Sequence, residues 1–116
     1  MTIPIPPYKV TTICGSMRFY PAMLKLAERL TLEGEIVLMP FVRKDAFMEA
    51  STDHPGNVAE NLDRMHIRKI DMADRIAIVT DERGYIGDST RKEMAYAMQS
   101  QKFHGLEDTY AIGENL

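Results

Sequence analysis

Three short apolar segments, each followed by residues with the spacing of an amphipathic helix, constrain the fold most strongly. The apolar segments, which we predict to be strands, span 9–14, 35–39 and 75–80. The second lacks strict alternation, which predicts burial on both faces. The predicted helices span 21–33, 57–72 and 89–102. Strands that alternate with helices at this spacing are typical of a parallel sheet covered on both sides. We therefore predict an α/β fold, a small doubly wound, Rossmann-like or flavodoxin-like three-layer sandwich with a parallel sheet of three to five strands.

The length of 116 residues suits one domain with one hydrophobic core. We predict a single domain over residues 1–116, with an extended arm at 1–8, where three prolines interrupt any strand pairing. A short tail spans 103–116, in which Tyr110 to Ile112 is a candidate last strand. The segment 43–56 mixes charged residues with Pro-Gly, which predicts a long loop with one short helical turn around 46–50.

The net charge and the cysteine content limit the partners and the cellular compartment that we expect for this chain. A net charge of −3 gives no basic face for a nucleic-acid polymer. The single cysteine, Cys14, excludes a disulfide within the chain and is typical of a reducing compartment, so we expect a cytoplasmic protein. The start of the chain has no signal-peptide pattern and no apolar run reaches the length of a membrane span. Because His54, His66 and His104 lack ligand spacing and no cysteine pair accompanies them, no metal site is predicted. No cofactor is predicted either.

The first candidate site is the turn Cys14-Gly15-Ser16-Met17-Arg18, directly after the first predicted strand. Glycine lets the backbone approach a ligand, and the helix that follows points unpaired N–H groups at an anion. Ser16 and Arg18 add a hydroxyl and a guanidinium, so the turn is a candidate phosphate-binding site. The alternative is an ordinary turn in which Ser16 caps the helix and Arg18 is solvated. We interpret Cys14 itself as a buried strand residue.

The second candidate site is the stretch from Gly84 to Ala97, which ends the loop after the third strand and opens the last helix. Glu93 is expected one turn into this helix, facing the sheet edge where the first turn lies. Gly87, Asp88 and Ser89 precede it at the helix start. The alternative is a capping box, in which Thr90 caps the helix and Glu93 reaches back to the cap.

A third candidate group lies on the helix predicted at 57–72. Asp63 and His66 share one face of that helix, so a carboxylate and an imidazole can point together into a site as acid and base. The alternative is that both are ordinary surface side chains.

Taken together, three segments resemble the nucleoside 2-deoxyribosyltransferase superfamily: Ile13 to Arg18, Ala73 to Val79, and Gly87 to Ala97. The likeness is closest to the branch of 2′-deoxynucleoside 5′-phosphate N-hydrolases and related nucleotide N-glycosidases. This resemblance implies hydrolysis of the N-glycosidic bond of a (deoxy)nucleoside 5′-monophosphate, with release of free base and sugar phosphate. It assigns Glu93 the place of the nucleophile that attacks the sugar and forms a covalent intermediate.

The same resemblance implies the other site residues and the partners. It implies that the 5′-phosphate is bound by Gly15, Ser16 and Arg18. Further sugar or phosphate contacts are implied for Gly87, Asp88 and Ser89. The position of the family's pocket aspartate is occupied by His66 in this sequence, and Asp63 lies one turn earlier. Either residue is therefore a candidate acid. The implied ligand is a nucleoside 5′-monophosphate or a nucleoside, and the implied assembly is a homodimer. Two other functions stay open, namely 2-deoxyribosyl transfer between bases and a non-catalytic nucleotide-binding or sensing module in which Glu93 only caps the helix.

Overall fold

A parallel sheet organises the part of the chain that the computed structural model describes, residues 3–42 and 58–116. Its strands are β1 Val10–Gly15, β2 Ile36–Leu38, β3 Arg75–Thr80 and β4 Thr109–Ala111, in the spatial order β2-β1-β3-β4. The helices are α1 Tyr20–Leu32, α2 Val58–Asp71 and α3 Asp88–Gln99. The predicted α/β class with a parallel sheet is therefore confirmed. The loop and short turn predicted at 43–56 lie outside the described residues. Of the helices in the described residues, none has the length and hydropathy to cross a lipid bilayer.

Two hydrophobic clusters lie on opposite faces of the sheet. Helix α1 covers one face, where its apolar stripe packs on alternate strand residues: Met23, Leu26 and Leu30 against Ile13, Ala77 and Val79. Helices α2 and α3 cover the other face, where Ile70 and Ala97 pack against Cys14, Ile76 and Ile78. Because successive strand residues point to opposite faces, Ile13 and Cys14 enter different layers. The three-layer arrangement follows, and β3 is buried along its whole length.

The edges of the sheet differ from the sequence-based expectation. The prediction that the second strand is buried on both faces is wrong, because β2 has three residues and lies at the edge, where Ile36 is 47% exposed. At the other edge, β4 pairs with β3 through Val79 and Tyr110. The candidate last strand in the tail is thus confirmed, beginning one residue earlier than predicted.

A buried charge cluster ties the amino ends of the four strands together. The Arg75 guanidinium donates to both carboxylate oxygens of Glu35, at 3.2 and 3.3 Å, and to Asp108 Oδ1 at 3.0 Å. It also donates to the hydroxyls of Thr11 and Tyr110, at 3.1 and 3.2 Å. Since Arg75 is only 6% exposed, these bonds replace the water that its charge loses on folding. The cluster lies at the end of the sheet away from the turn after β1.

Candidate active site

A cavity of about 310 Å³ opens at the carboxyl end of β1, between the turn that follows the strand, helix α2 and the first turns of α3. This is the edge at which α/β sheets bind ligands, because the loops after parallel strands converge there. Its volume is at the lower end of the range of small-molecule sites. The wall is formed by Gly15, Ser16, Met17, Pro40, Phe41, Ala59, Leu62, Asp63, His66, Gly87, Asp88, Ser89, Thr90 and Glu93.

Eight of the nine predicted site residues line this cavity: Gly15, Ser16, Asp63, His66, Gly87, Asp88, Ser89 and Glu93. The exception is Arg18. Its guanidinium carbon lies 4.7 Å from the centroid of the Tyr85 ring, in a cation–π contact. Arg18 therefore lies beside the cavity in the described structure and outside its wall.

The loop before α3 positions the Tyr85 ring. The Asp81 carboxylate accepts hydrogen bonds from the backbone N–H groups of Arg83 and Tyr85, both at 2.9 Å, which fixes a tight turn. The N–H of Tyr85 contributes most to lowering the pKa of Asp81. The ring then packs edge-on against Phe19, with centroids 6.2 Å apart. The turn after β1 and the loop before α3 are thus joined by aromatic contacts next to the cavity.

Gly15 is required by space, since its backbone is not in the left-handed conformation that favours glycine. A Cβ at this position would lie 2.8 Å from Met23 Cε and 3.0 Å from the carbonyl oxygen of Val79. The floor of the cavity at this point is therefore backbone. Ser16, the next residue, accepts from the N–H of Arg18 through its side-chain oxygen at 3.4 Å and caps the short 3-10 turn before α1. The capping alternative for Ser16 is correct, and Ser16 lines the cavity as well.

The start of α3 decides between the two interpretations of Glu93. The N-cap is Gly87, with no side-chain hydrogen bond, and the helix begins at Asp88. A capping box needs its glutamate at the third helical position, which Thr90 occupies, whereas Glu93 is the sixth residue of the helix. The capping-box alternative is wrong, and Glu93 instead points into the cavity. The unpaired N–H groups of the first turn lie at the same wall.

Three side chains from three elements meet at the base of the cavity. Cys14 Sγ lies 3.5 Å from His66 Nε2, and the same nitrogen lies 3.6 Å from Glu93 Oε2. The sequence predicted His66 and Glu93 as site residues, but it did not predict that Cys14 lies next to them. The available signal was the strand alternation: if Ile13 faces α1, then Cys14 must face α2 and α3.

Burial shifts the proton affinities of this cluster. It raises the pKa of Glu93 to about 8, with the Asp63 charge adding to the effect. It lowers the pKa of His66 to about 4, with Lys69 adding to the effect. It also raises the pKa of the Cys14 thiol, with the Glu93 charge adding to the effect. At neutral pH the ring is therefore neutral and the Glu93 carboxyl largely protonated. Nδ1 of His66 is buried near the Ile13 backbone and makes no hydrogen bond of ordinary geometry in the described residues.

The charge of the wall limits the ligands that fit it. The described wall carries the carboxyl groups of Asp63, Asp88 and Glu93, and it includes no lysine or arginine. The groups available for an anion are backbone N–H groups, at the turn after β1 and at the start of α3, and the hydroxyl groups of Ser16, Ser89 and Thr90. An anionic group can be held there, while the rest of the cavity favours neutral parts of a ligand.

The fold and the cavity define an α/β protein with a largely buried carboxyl–imidazole pair at the carboxyl edge of its parallel sheet. No protein-family model and no curated protein matches the chain. The function is therefore argued from this geometry and from the motifs.

Proposed function

We propose that the chain is a nucleotide N-glycosidase, which hydrolyses the N-glycosidic bond of a (deoxy)nucleoside 5′-monophosphate and releases free base and sugar phosphate. The observation that carries the proposal is the position of Glu93, a half-buried carboxyl group that reaches the cavity and has no capping role. A carboxylate beside an anomeric carbon stabilises an oxocarbenium-like transition state and can capture it as an ester. The resemblance of the sequence motifs to the nucleoside 2-deoxyribosyltransferase superfamily supports the same role.

The reaction runs in two displacements. Ionised Glu93 attacks C1′ and forms a carbon–oxygen bond, while the bond from C1′ to the base breaks and its electron pair leaves with the base. Water then attacks C1′ and loses a proton to solvent, while the ester bond breaks and restores the carboxylate, so the sugar keeps its configuration. Because the pKa of Glu93 is about 8, roughly a tenth of the molecules are ionised at neutral pH.

Asp63 suits the role of assisting the departing base better than His66. The ring of His66 has a pKa of about 4, so the imidazolium that would donate a proton is scarce at neutral pH. Asp63 lines the cavity, and its charge raises the pKa of Glu93. The departing base takes its proton from solvent water, which the Asp63 carboxylate can orient in the cavity. His66 then positions Glu93.

The 5′-phosphate fits the backbone N–H groups of the turn after β1 and of the first turn of α3. Gly15 and Gly87 both line the cavity, and the helix dipole of α3 favours an anion at its start. This arrangement needs no basic side chain.

A second candidate substrate is a free nucleoside, which would make the protein a 2-deoxyribosyltransferase or a nucleoside hydrolase. The specific observation in its favour is the described wall, which has three carboxyl groups and no basic side chain. A non-catalytic nucleotide-binding or sensing module differs from both in showing ligand binding without turnover.

The deciding experiment incubates the protein with matched nucleosides and nucleoside 5′-monophosphates and measures free base by chromatography. We expect base release from the monophosphates, and loss of release in the Glu93→Gln variant. The control variant is Glu60→Gln, since Glu60 is an exposed glutamate of α2 outside the cavity wall. Release that survives Glu93→Gln would overturn the role of Glu93.

Two further outcomes separate the alternatives. A new nucleoside formed when a second free base is supplied would identify a transferase. Thermal stabilisation by a nucleotide with no base released would identify a binding module.

A further inference from the structure

Of the two contacts at the base of the cavity, that between Cys14 and His66 has the length of a hydrogen bond to sulfur, and that between His66 and Glu93 is too long for a hydrogen bond. Nε2 of His66 and Oε2 of Glu93 are 3.6 Å apart, which is longer than the 2.7–3.2 Å typical of an N–H···O bond. Cys14 Sγ lies 3.5 Å from the same nitrogen, and the three atoms lie within 4.8 Å of one another. A tetrahedral ion with bonds of about 2.0–2.3 Å separates its ligand atoms by about 3.3–3.7 Å, so both measured distances match ligands of one ion.

We propose that Cys14 Sγ, His66 Nε2 and Glu93 Oε2 form a binding site for Zn²⁺ or a similar borderline-soft divalent cation. Sulfur, imidazole nitrogen and a single carboxylate are ligands that zinc accepts, whereas Mg²⁺ and Ca²⁺ require mostly oxygen. The ligands come from β1, α2 and α3, and this is why no spacing in the sequence indicated a metal site.

The surroundings allow one further ligand. His66 and Glu93 line the cavity, whereas Cys14 lies behind them with no exposed surface. A metal ion held between the three therefore presents its fourth position to the cavity, where water or a ligand group can bind. Three protein ligands with one open position are the arrangement of catalytic rather than structural zinc sites.

The charges balance when the ion binds. The Cys14 thiol and the Glu93 carboxyl each lose a proton to solvent, and the resulting thiolate and carboxylate together carry two negative charges. The dication cancels them, and neutral His66 adds a lone pair without charge. A buried site that is neutral as a whole avoids the cost of an unpaired interior charge.

The metal site does not depend on the proposed glycosidase activity, because binding is measured without turnover. The two are linked in one respect. A metal ion on Glu93 occupies the carboxylate that would attack the sugar, so the metal-bound form would be inactive as a glycosidase.

The test uses untagged full-length protein, freed of metal with a chelator and then titrated with Zn²⁺ by calorimetry. We expect one Zn²⁺ per chain by elemental analysis after desalting, and no competition from Mg²⁺. Titration with Co²⁺ should produce the near-ultraviolet absorption of a thiolate–cobalt bond. The Cys14→Ser variant should lose this absorption.

The variants His66→Gln and Glu93→Gln should each weaken Zn²⁺ binding at least about tenfold, as expected for loss of a metal ligand. They keep the test informative if replacing buried Cys14 prevents folding. The matched control is His104→Gln, because His104 pairs with Asp108 in the distant charge cluster and should leave binding unchanged. Substoichiometric zinc, or equal binding by the wild type and both cavity variants, would overturn the proposal. Base release without zinc binding would reject the metal site and leave the glycosidase proposal standing.

Discussion

Glu93 Oε2 on α3 lies 3.6 Å from Nε2 of His66 on α2, at the base of the cavity. Burial shifts the two groups in opposite directions, with the pKa of Glu93 raised to about 8 and that of His66 lowered to about 4. At neutral pH neither group is fully charged. The activity and the stability of the protein should both depend on pH for this reason.

The rate of base release should rise with pH. The proposed nucleophile is the ionised form of Glu93, so kcat/KM should increase up to about tenfold per pH unit below about pH 8 and level off above it. His66 is already neutral over this range and should add no second inflection. Initial rates between about pH 6 and pH 9.5 check this. A rate that falls through about pH 8 would instead indicate that protonated Glu93 acts as an acid.

Stability should change with pH in the opposite sense. The pKa of Glu93 is raised from 4.5 to about 8 in the folded protein, so the folded state holds a proton that the unfolded state has released. The free energy of unfolding should therefore fall as pH rises from about 4.5 to about 8. Glu93→Gln removes this contribution, and its stability relative to wild type should improve by on the order of 1–3 kcal/mol between about pH 5.5 and pH 9. Urea unfolding at both pH values measures it; Glu60→Gln should show no such change.

Replacing Arg75 should destabilise the fold strongly. Arg75→Met leaves Glu35 and the buried Asp108 without their cation, which should cost about 3–5 kcal/mol. Chemical denaturation measures the loss. Arg68→Met is the control, because Arg68 is exposed and lies 3.9 Å from Asp71, and it should cost less than about 1 kcal/mol. Equal effects of the two substitutions would contradict the importance of the buried cluster.

Adding one methyl group at Gly15 should damage the site. The Cβ of Gly15→Ala would lie 3.0 Å from the backbone oxygen of Val79, so the turn must shift, at a cost of about 1–3 kcal/mol and with loss of ligand binding. Gly34→Ala is the matched control. Gly34 has φ of +95° and free space around it, so its substitution should cost about 1 kcal/mol and leave binding unchanged. Thermal unfolding and nucleotide binding, measured on both variants, distinguish the two effects.

Arg18 should contribute little to phosphate binding if its guanidinium keeps the cation–π contact with the Tyr85 ring. We expect Arg18→Ala to lower kcat/KM for a monophosphate and for its nucleoside by the same factor, less than about threefold, because the guanidinium lies outside the cavity wall. Paired substrate kinetics measure this. A loss of more than about tenfold confined to the monophosphate would show that Arg18 leaves the ring to bind phosphate, as the sequence resemblance implies.

The sequence predicted the sheet and most of the cavity for a definite reason. Apolar runs and glycine turns mark the ends of parallel strands, and those ends meet at one edge, so Gly15 and Glu93 were expected together. The spacing of residues along the sequence does not show which residues of different strands and helices contact one another. The contact of Cys14 with His66 and the cluster around Arg75 both depend on strand order and on which face each helix covers, and periodicity does not determine either.

The capping interpretation of Glu93 was wrong for a local reason. The capping-box motif places the cap at Thr90, and the motif alone does not show that the helix begins earlier. The structure uses the earlier start, since Gly87 adopts the extended conformation of an N-cap.

The central position of β1 gives the cavity a pre-organised floor. β1 is paired with β2 on one side and β3 on the other, and it ends at Gly15 against the backbone of Val79. Local opening of a sheet begins at its edges, so this floor belongs to the part of the fold that fluctuates least. Ligand binding therefore costs little conformational entropy at the base of the site. The residues that move when a ligand enters are expected in the helical walls of the cavity.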